Sequence, residues 1–357
     1  MQRRQTAGTG LPTIEDVARD AGVSTATVSR VLNSSPAVRE KLRLRVQASM
    51  TRLHYVPHAG ARALMLGRSG TVGAIFPTVD NAIFAKAIDA LQRRLAEAGS
   101  QLLIATSGYD PQTEEAQAIH LLTRGVDALL FCGCGQRPAL LRRLRERNVP
   151  SVHVMAWPGP PDRVCVGFDN ARAMQQVVRY LLDLGHRRVA MLAGITRDND
   201  RAEARVRGVR AGLAQAGLTL PPERLVERRY ALADARDGLR VLLAAQQAPT
   251  AVICGNDVLA FGALLEAQRL GVTVPQQLSI VGFDDLEMAS HVHPALTTVQ
   301  VPAEAMWRRA AERVISALRG EAAPVETEIE VALVVRGSTA LAPPDTRPSS
   351  GRRRDAG

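Results

Sequence analysis

Aromatic residues are scarce in this sequence: tryptophan, tyrosine and phenylalanine together make up only 3% of its 357 residues. The hydrophobic cores must therefore be built from valine, leucine, isoleucine and alanine. No apolar run approaches the ~20 residues that a membrane-spanning helix needs. The first ten residues lack the apolar segment of a secretory signal. Four cysteines are too few for a disulfide scaffold and suit a reducing compartment, so we expect a cytoplasmic protein with no membrane partner.

The sequence motifs of several enzyme classes are also absent. There is no Gly-x-x-x-x-Gly-Lys phosphate loop, no Gly-x-Ser-x-Gly nucleophile elbow and no His-Glu-x-x-His metal site. Cys132 and Cys134 have no second cysteine pair nearby, and His291 and His293 have no third ligand. We therefore predict no catalytic residue, no metal and no cofactor.

Positive charge is concentrated at one end of the chain. Residues 1–68 contain 11 basic and 4 acidic residues, whereas residues 69–341 contain 30 basic and 29 acidic residues. This basic head on a nearly neutral body is typical of a protein that binds a polyanion such as DNA, RNA or anionic lipid.

Three short helical patterns occupy residues 13–54. Thr13 and Asp16 have the spacing of a capping box at the start of the first helix. Gly22 ends that helix, Ser24 caps the second, and the third covers about 38–53. The order of helix, glycine-centred turn and helix allows the second helix to enter a major groove. Two helices of a larger all-helical domain are the alternative, and the local positive charge argues against it.

From Thr71 onwards the pattern changes to short apolar strands separated by helical stretches. Such alternation predicts parallel sheets with helices on both faces, and the number of units predicts two doubly wound halves. The predicted strands are 72–76, 102–105, 128–132, 151–155, 189–193, 251–254 and 279–283.

The first segment closely resembles the headpiece of the LacI family of bacterial transcription regulators. Its Val-Ala at 17–18, Ala-Gly-Val-Ser at 21–24 and Thr-Val-Ser-Arg-Val at 27–31 carry the resemblance. Further similar blocks are 53–57, 72–77, 184–190, 255–257 and 281–285. The resemblance covers about 13–340 and implies a dimeric, effector-controlled repressor whose body has a periplasmic-binding-protein-like fold.

This resemblance divides the chain into five predicted segments. They are a disordered N-terminus at 1–12, a helix–turn–helix domain at 13–57, a hinge helix and linker at 58–68, an effector-binding and dimerisation domain at 69–340, and a disordered tail at 341–357. Within the body we expect an N-subdomain of about 69–168 with 299–325, and a C-subdomain of about 169–298 with 326–340. We see no leucine heptads after 341 and expect no tetramer.

The start of the second helix is where side chains reach base edges. Ala26 offers a methyl group to thymine, and Thr25 offers one hydrogen bond. Arg30 suits a bidentate contact with guanine, worth about 1–3 kcal/mol of discrimination, although a phosphate contact is the alternative. The remaining predicted DNA-contacting residues, which cap helices or touch phosphates or follow from the resemblance, are Thr13, Ser24, Thr27, Ser29, Asn33 and Tyr55.

Leu64 lies in a segment that resembles the hinge helix of the family. By that resemblance it wedges into the minor groove and kinks the duplex. An amphipathic linker with Leu64 packed on the body is the alternative.

Ligands of doubly wound sheets bind beyond the carboxyl ends of the strands. Pro77 and Thr78 follow the first strand and are therefore candidate effector contacts. The resemblance implies that Phe84 stacks on the effector, that Arg205 and Asp284 bind its polar groups, and that Asn256 lies nearby. Each of these residues also has a structural alternative to effector binding. Asp257 could cap a helix, Asp284 and Asp285 could cap a turn, and Arg205 could be a solvated surface residue.

The chemical class of the effector is suggested by the end of the fourth strand. Many family members carry an acidic residue where this chain has Ala156, and Trp157 adds an aromatic surface beside it. The block 166–170 also resembles the gluconate-repressor branch of the family. We therefore expect a sugar acid, unless Asp162 replaces the missing carboxylate and restores a neutral-sugar site. A secreted solute-binding protein and an enzyme with a DNA-binding head are the competing classes.

Overall fold

The computed structural model describes residues 11–32, 37–56, 67–321 and 326–344. The chain forms two compact units, Met1–Ser69 and Gly70–Gly357. The described part of the first unit forms three helices, which are α1 Ile14–Asp20, α2 Thr25–Leu32 and α3 Glu40–Arg52. The predicted caps are confirmed, because Thr13 and Asp16 form a capping box and the backbone N–H of Thr27 donates to Ser24 Oγ at 3.2 Å.

The three helices pack around a small apolar core. Its fully buried members are Val17, Ala18, Ala21, Val28, Val31, Val38 and Val46. A polar contact links α1 to α3, because the hydroxyl of Ser49 donates to Asp20 Oδ2 at 2.6 Å and Arg52 pairs with the same carboxylate.

The second unit contains two six-stranded sheets, each belonging to one lobe. The first lobe has the strand order β11-β5-β4-β3-β1-β2, with every pair parallel. Its strands are β1 Thr71–Phe76, β2 Gln101–Thr106, β3 Ala128–Cys132, β4 Ser151–Val154, β5 Val164–Gly167 and β11 Glu326–Glu328. Its helices are α4 Ala82–Glu97, α5 Pro111–Thr123, α6 Pro138–Glu146 and α11 Ala303–Arg319.

The second lobe has the strand order β12-β10-β9-β8-β6-β7. Its strands are β6 Val189–Gly194, β7 Leu225–Arg228, β8 Ala251–Cys254, β9 Ser279–Asp284, β10 Thr297–Gln300 and β12 Ala332–Val334. Its helices are α7 Asn170–Asp183, α8 Asp200–Gln215, α9 Leu232–Leu243 and α10 Asp257–Arg269. The expected parallel sheet holds except at one edge, where β12 runs antiparallel to β10.

The chain crosses between the lobes three times, near residues 168–169, 301–302 and 329–331. Two of these positions differ from the boundaries expected at about 298/299 and 325/326. All of β10 pairs with β9 in the second lobe, and β11 pairs with β5 in the first. Pattern alone could not place β11, because a three-residue strand buries too little apolar surface to leave a periodic signal.

Glycines allow the helices of the second lobe to approach closely. A Cβ atom at Gly208 of α8 would lie 2.3 Å from the carbonyl oxygen of Ala171 in α7, and one at Gly212 would lie 2.9 Å from Val178 Cβ. These two glycines, one turn apart, therefore let α7 and α8 pack almost backbone to backbone.

No helix among the described residues is long and apolar enough to cross a membrane. Several predictions fall on residues outside the described ranges. They are the contacts of Asn33 and Leu64, most of the hinge helix, and nearly all of both terminal segments.

Candidate DNA-binding and effector sites

The second helix of the first unit presents the predicted base-reading residues to solvent. Thr25, Ala26 and Arg30 are exposed on α2, while Val28 and Val31 on its other side are buried in the core. The guanidinium of Arg30 makes no hydrogen bond or ion pair with another described residue, so it is available to a partner. This side of α2 therefore has the chemistry of a recognition surface.

The remaining described DNA-contact candidates have local structural roles. Thr13 caps α1 and exchanges hydrogen bonds with Asp16. Ser24 caps α2, and its hydroxyl lies 2.9 Å from that of Thr27. Ser29 is half-buried, and Tyr55 packs against the helical core. Helix caps of this kind leave backbone N–H groups and hydroxyls near the surface that phosphates contact.

Between the lobes of the second unit lies a small space, the inner pocket, of about 30 Å³. It is lined by Asn81, Ile83, Phe84, Tyr109, Met155, Asn199, Arg201, Arg205, Tyr230, Asn256 and Asp284. The structure thus brings together four predicted effector residues, Phe84, Arg205, Asn256 and Asp284. Little space therefore remains between the lobes at this point, and contacts such as the hydrogen bond from Asn170 to the carbonyl oxygen of Met155 join the two lobes.

Arg205 is buried and firmly held. Its Nε donates to Asn170 Oδ1 at 2.9 Å, and its Nη1 donates to the carbonyl oxygen of Gly255 at 2.6 Å. Its guanidinium carbon lies 3.8 Å from the ring centroid of Phe283. Asn170 in turn donates to the carbonyl oxygen of Met155 in the first lobe at 3.0 Å, so Arg205 is connected to both lobes and is not a solvated surface arginine.

Asp284 ends β9 and directs an acidic group at the pocket. The residue is 5% exposed, and burial raises the pKa of its carboxyl to about 8, although Arg205 and Arg201 oppose the rise. Its carboxyl has no hydrogen-bond partner among the described residues. Asp285, by contrast, accepts hydrogen bonds from Arg336 and Gln300, so the turn interpretation fits Asp285 and not Asp284.

Arg201 is a second buried arginine of the pocket, and the sequence prediction missed it. It lies one helical turn before Arg205 on α8, and its Nη1 is 3.4 Å from Asp200 Oδ1. The carboxylate of Asp200 also accepts the backbone N–H of Cys134 at 2.6 Å, which joins α8 to the first lobe. The i, i+4 spacing of Arg201 and Arg205 was the available signal for one shared face.

Two tyrosines from opposite lobes separate the inner pocket from a larger outer cavity. The rings of Tyr109 and Tyr230 lie 5.8 Å apart, and both line each space. The outer cavity measures about 560 Å³ and includes Thr78, Arg197 and Arg229. No sequence pattern predicts that these tyrosines meet. Each lies in a loop after a strand, and the two loops come together only because the two lobes face each other.

The other predicted effector residues lie elsewhere. Pro77 lines a side pocket that also contains Glu114 and Asp200, and Thr78 lines the outer cavity. Trp157 is half-buried but lines none of these three described spaces. Met155, two residues earlier, occupies the strand-end position that faces the ligand space.

Two structural alternatives are also decided by the geometry. Asn256, not Asp257, caps α10, because its Oδ1 accepts the backbone N–H of Leu259 at 3.0 Å. Asp162 pairs with Arg145 at the surface at 2.8 Å and does not replace the missing carboxylate. Among the described residues, no group of three or more histidine, cysteine or acidic residues could hold a metal ion.

Comparison with known protein families matches one segment in each of the two units. Residues 13–58 match the family described as bacterial regulatory proteins, lacI family. Residues 178–339 match a periplasmic binding protein-like domain.

Full-length relatives are similar along nearly the whole chain. It is 31% identical over 338 residues to the HTH-type transcriptional repressor PurR of Klebsiella pneumoniae, covering 93% of this chain and 98% of that protein. It is 34% identical over 319 residues to the HTH-type transcriptional regulator GntR of Pseudomonas aeruginosa, covering 89% and 92%. Among solved structures, the lac repressor dimer bound to operator and the anti-inducer ONPF is 25% identical, with a TM-score of 0.81 and coverage of 93% and 100%.

Proposed function

Since the chain belongs to the LacI family of bacterial regulatory proteins, we propose that it represses transcription by binding an operator through α2 and that a small hydroxylated acid controls this binding. Its relatives are transcriptional repressors and regulators rather than enzymes. The solved lac repressor binds its operator as a dimer. We extend that arrangement to this chain, with a palindromic operator and a cytoplasmic location.

The charge of the inner pocket carries the proposal for an acidic effector. Its lining contains two buried guanidinium groups, from Arg201 and Arg205, and a single carboxyl group, from Asp284. Because the pKa of Asp284 is raised to about 8, that carboxyl is mostly protonated at neutral pH. Arg201 has Asp200 as a counter-charge, so the charge left without one is that of Arg205. A buried charge of this kind is costly, and a carboxylate ligand would neutralise it through charge-assisted hydrogen bonds.

The remaining lining fits a hydroxylated body on that acid. Asn81, Asn256 and the two tyrosines supply donors and acceptors for hydroxyl groups, and Phe84 supplies an apolar face. Opening of the lobes would join the inner pocket to the outer cavity and make room for a six-carbon acid. A hydrogen-bonding lining of this kind discriminates strongly against ligands that lack the hydroxyls.

Calorimetry with gluconate and glucose tests this proposal. Gluconate should bind and glucose should bind much more weakly or not at all, and Arg205→Met should weaken gluconate binding. Arg207→Met is the matched control, because Arg207 lies two residues away on the same helix and pairs with Glu203 at the surface. Tighter binding of glucose, or equal gluconate binding by both variants, would exclude the acidic effector.

A further inference from the structure

The loop after β9 has an unusual backbone conformation. Asp284 has a φ of 119° and Asp285 a φ of 57°. Residues with a Cβ atom avoid positive φ, and strained positions of this kind persist only where the surrounding structure holds them in place. Two consecutive examples beside a ligand pocket therefore require an identifiable restraint.

Arg336 provides the first restraint. Its Nη2 donates to Asp285 Oδ1 at 2.7 Å, and its Nη1 donates to the carbonyl oxygen of Leu296 at 2.9 Å. Its backbone N–H donates to Thr297 Oγ1 at 2.9 Å. The side chain of Gln300 donates to the other oxygen of Asp285 at 2.9 Å. Asp285 is thereby tied to β10 and to the segment after β12.

Asp257 provides the second restraint, on the other side of the loop. Its Oδ2 accepts the backbone N–H of Leu286 at 2.7 Å, and its Oδ1 accepts the hydroxyl of Thr298 at 2.6 Å. Gly282 leaves room for this carboxylate, since a Cβ there would lie 2.2 Å from Asp257 Oδ1. Both residues that follow Asp284 are therefore fixed by side chains from outside the loop.

We propose that Arg336 is a positioning residue for effector recognition, because its ion pair with Asp285 holds the backbone that turns the Asp284 carboxyl into the inner pocket. Arg336 is not among the residues that line the pocket, so its effect on the ligand passes through Asp284. Both carboxylate oxygens of Asp285 accept hydrogen bonds from its own lobe, whereas those of Asp284 have no hydrogen-bond partner in the described part of the chain and are available to a ligand. The inference rests on the proposed function only in taking the inner pocket as the effector site.

The principal test is a double-mutant cycle on gluconate binding, measured by calorimetry. Arg336→Met keeps the apolar stem and removes the guanidinium, and we expect gluconate affinity to fall about tenfold, within the usual range for coupled neighbours. In an Asp284→Ala background the same substitution should cause little further loss. Arg336→Lys should restore part of the affinity. Arg93→Met, which removes a surface ion pair with Asp89 and Glu304 in the other lobe, should change nothing.

Additive losses in the double mutant would overturn the proposal, because a general structural role acts with or without Asp284. If Arg336→Met does not fold, Asp285→Asn serves instead, since it keeps the side-chain shape and removes the ionic partner. If gluconate does not bind the wild-type chain, the effector class is wrong, and crystal structures then decide the positioning role. If the crystal structure of Arg336→Met shows the Asp284 carboxyl moved out of the pocket, the positioning role of Arg336 is supported. An Asp284 carboxyl in its wild-type position overturns that role.

Discussion

At the scale of single residues, burial sets the charge of the effector site. Asp284 faces Arg205 and Arg201, which favour its ionised form, and Asp257, which disfavours it. Loss of hydration is the largest contribution, so the pKa of Asp284 rises to about 8. The pocket is therefore most receptive to an anion when Asp284 holds its proton.

The affinity for gluconate should fall as the pH rises through about 8. Below this pH the protonated Asp284 donates to the ligand, and above it an ionised Asp284 repels the ligand carboxylate. Calorimetry at pH 6.5, 7.5, 8.5 and 9 measures the trend, and Asp284→Asn should make it nearly flat. A wild-type affinity that does not change over this range would contradict the protonation state assigned to the pocket.

Arg30→Ala should lose discrimination at one base pair in each operator half-site. The guanidinium on α2 is exposed and has no partner among the described residues. It is suited to guanine, and such a contact is worth about 1–3 kcal/mol against the wrong base. Binding to operators substituted one base pair at a time measures the loss. Thr13→Ala is the comparison, because a phosphate contact would affect all sequences alike. Equal losses for Arg30→Ala on operator and random DNA would assign Arg30 to the backbone instead.

Sequence reasoning grouped residues correctly in space where the resemblance to the family named their positions. Arg205, Asn256 and Asp284 all line the inner pocket, and their contact with an effector stays a prediction. Trp157 was misplaced by the same logic, since the strand ends one residue earlier than expected and Met155 faces the pocket. The partners of Asp285 could not be predicted, because Arg336 is 51 residues away in the chain.

At the scale of elements, all seven predicted strands lie within a residue of their expected bounds, and the other described strands were missed. Strand β3 and strand β8 coincide with the expected ranges. The strands Val164–Gly167, Leu225–Arg228 and Thr297–Gln300 have four residues each. Strand β8 also has four residues, but it is an unbroken apolar run, whereas β7 and β10 contain charged or polar residues and leave no such signal.

Gly208→Ala should destabilise the second unit by about 1–3 kcal/mol, the usual cost of overpacking a close contact. The added methyl group would meet the backbone of Ala171, which cannot rotate away as a side chain could. Denaturant unfolding measures the change. Gly135→Ala is the matched control, since nothing lies within 4 Å of its Cβ position. A loss no larger than that of the control would show that α7 and α8 can separate at no cost.

At the scale of the whole molecule, the two units differ in charge and therefore in their attraction to DNA. The basic excess belongs to the first 68 residues, and the body is nearly neutral. Non-specific attraction to DNA therefore comes from the headpiece and weakens as salt rises. Specific recognition needs more contacts than one small headpiece offers. Two-fold symmetry supplies these contacts by adding a second headpiece on a second half-site.

The protein should bind a palindromic operator as a homodimer. Sedimentation of the chain with operator DNA should give two chains per duplex, and a single half-site should bind far more weakly. Leu64→Ala, at the predicted wedge, should weaken operator binding more than binding to random DNA, because only the specific duplex is kinked. One chain bound stably to one half-site would contradict this assembly.

The threefold crossing of the chain between the lobes has a genetic consequence. The last strand of each sheet, β11 in the first lobe and β12 in the second, lies within residues 326–334. Arg336 follows them, and Ser338 then donates to the carbonyl oxygen of Ile280 in β9 at 2.6 Å. A stop codon after position 325 would spare more than nine-tenths of the 357 residues, yet it would damage both lobes and release the loop that carries Asp284. Nonsense alleles that end the chain at or before residue 325 should therefore have the phenotype of a deletion, and no single cut in the coding sequence can separate one complete lobe from the other.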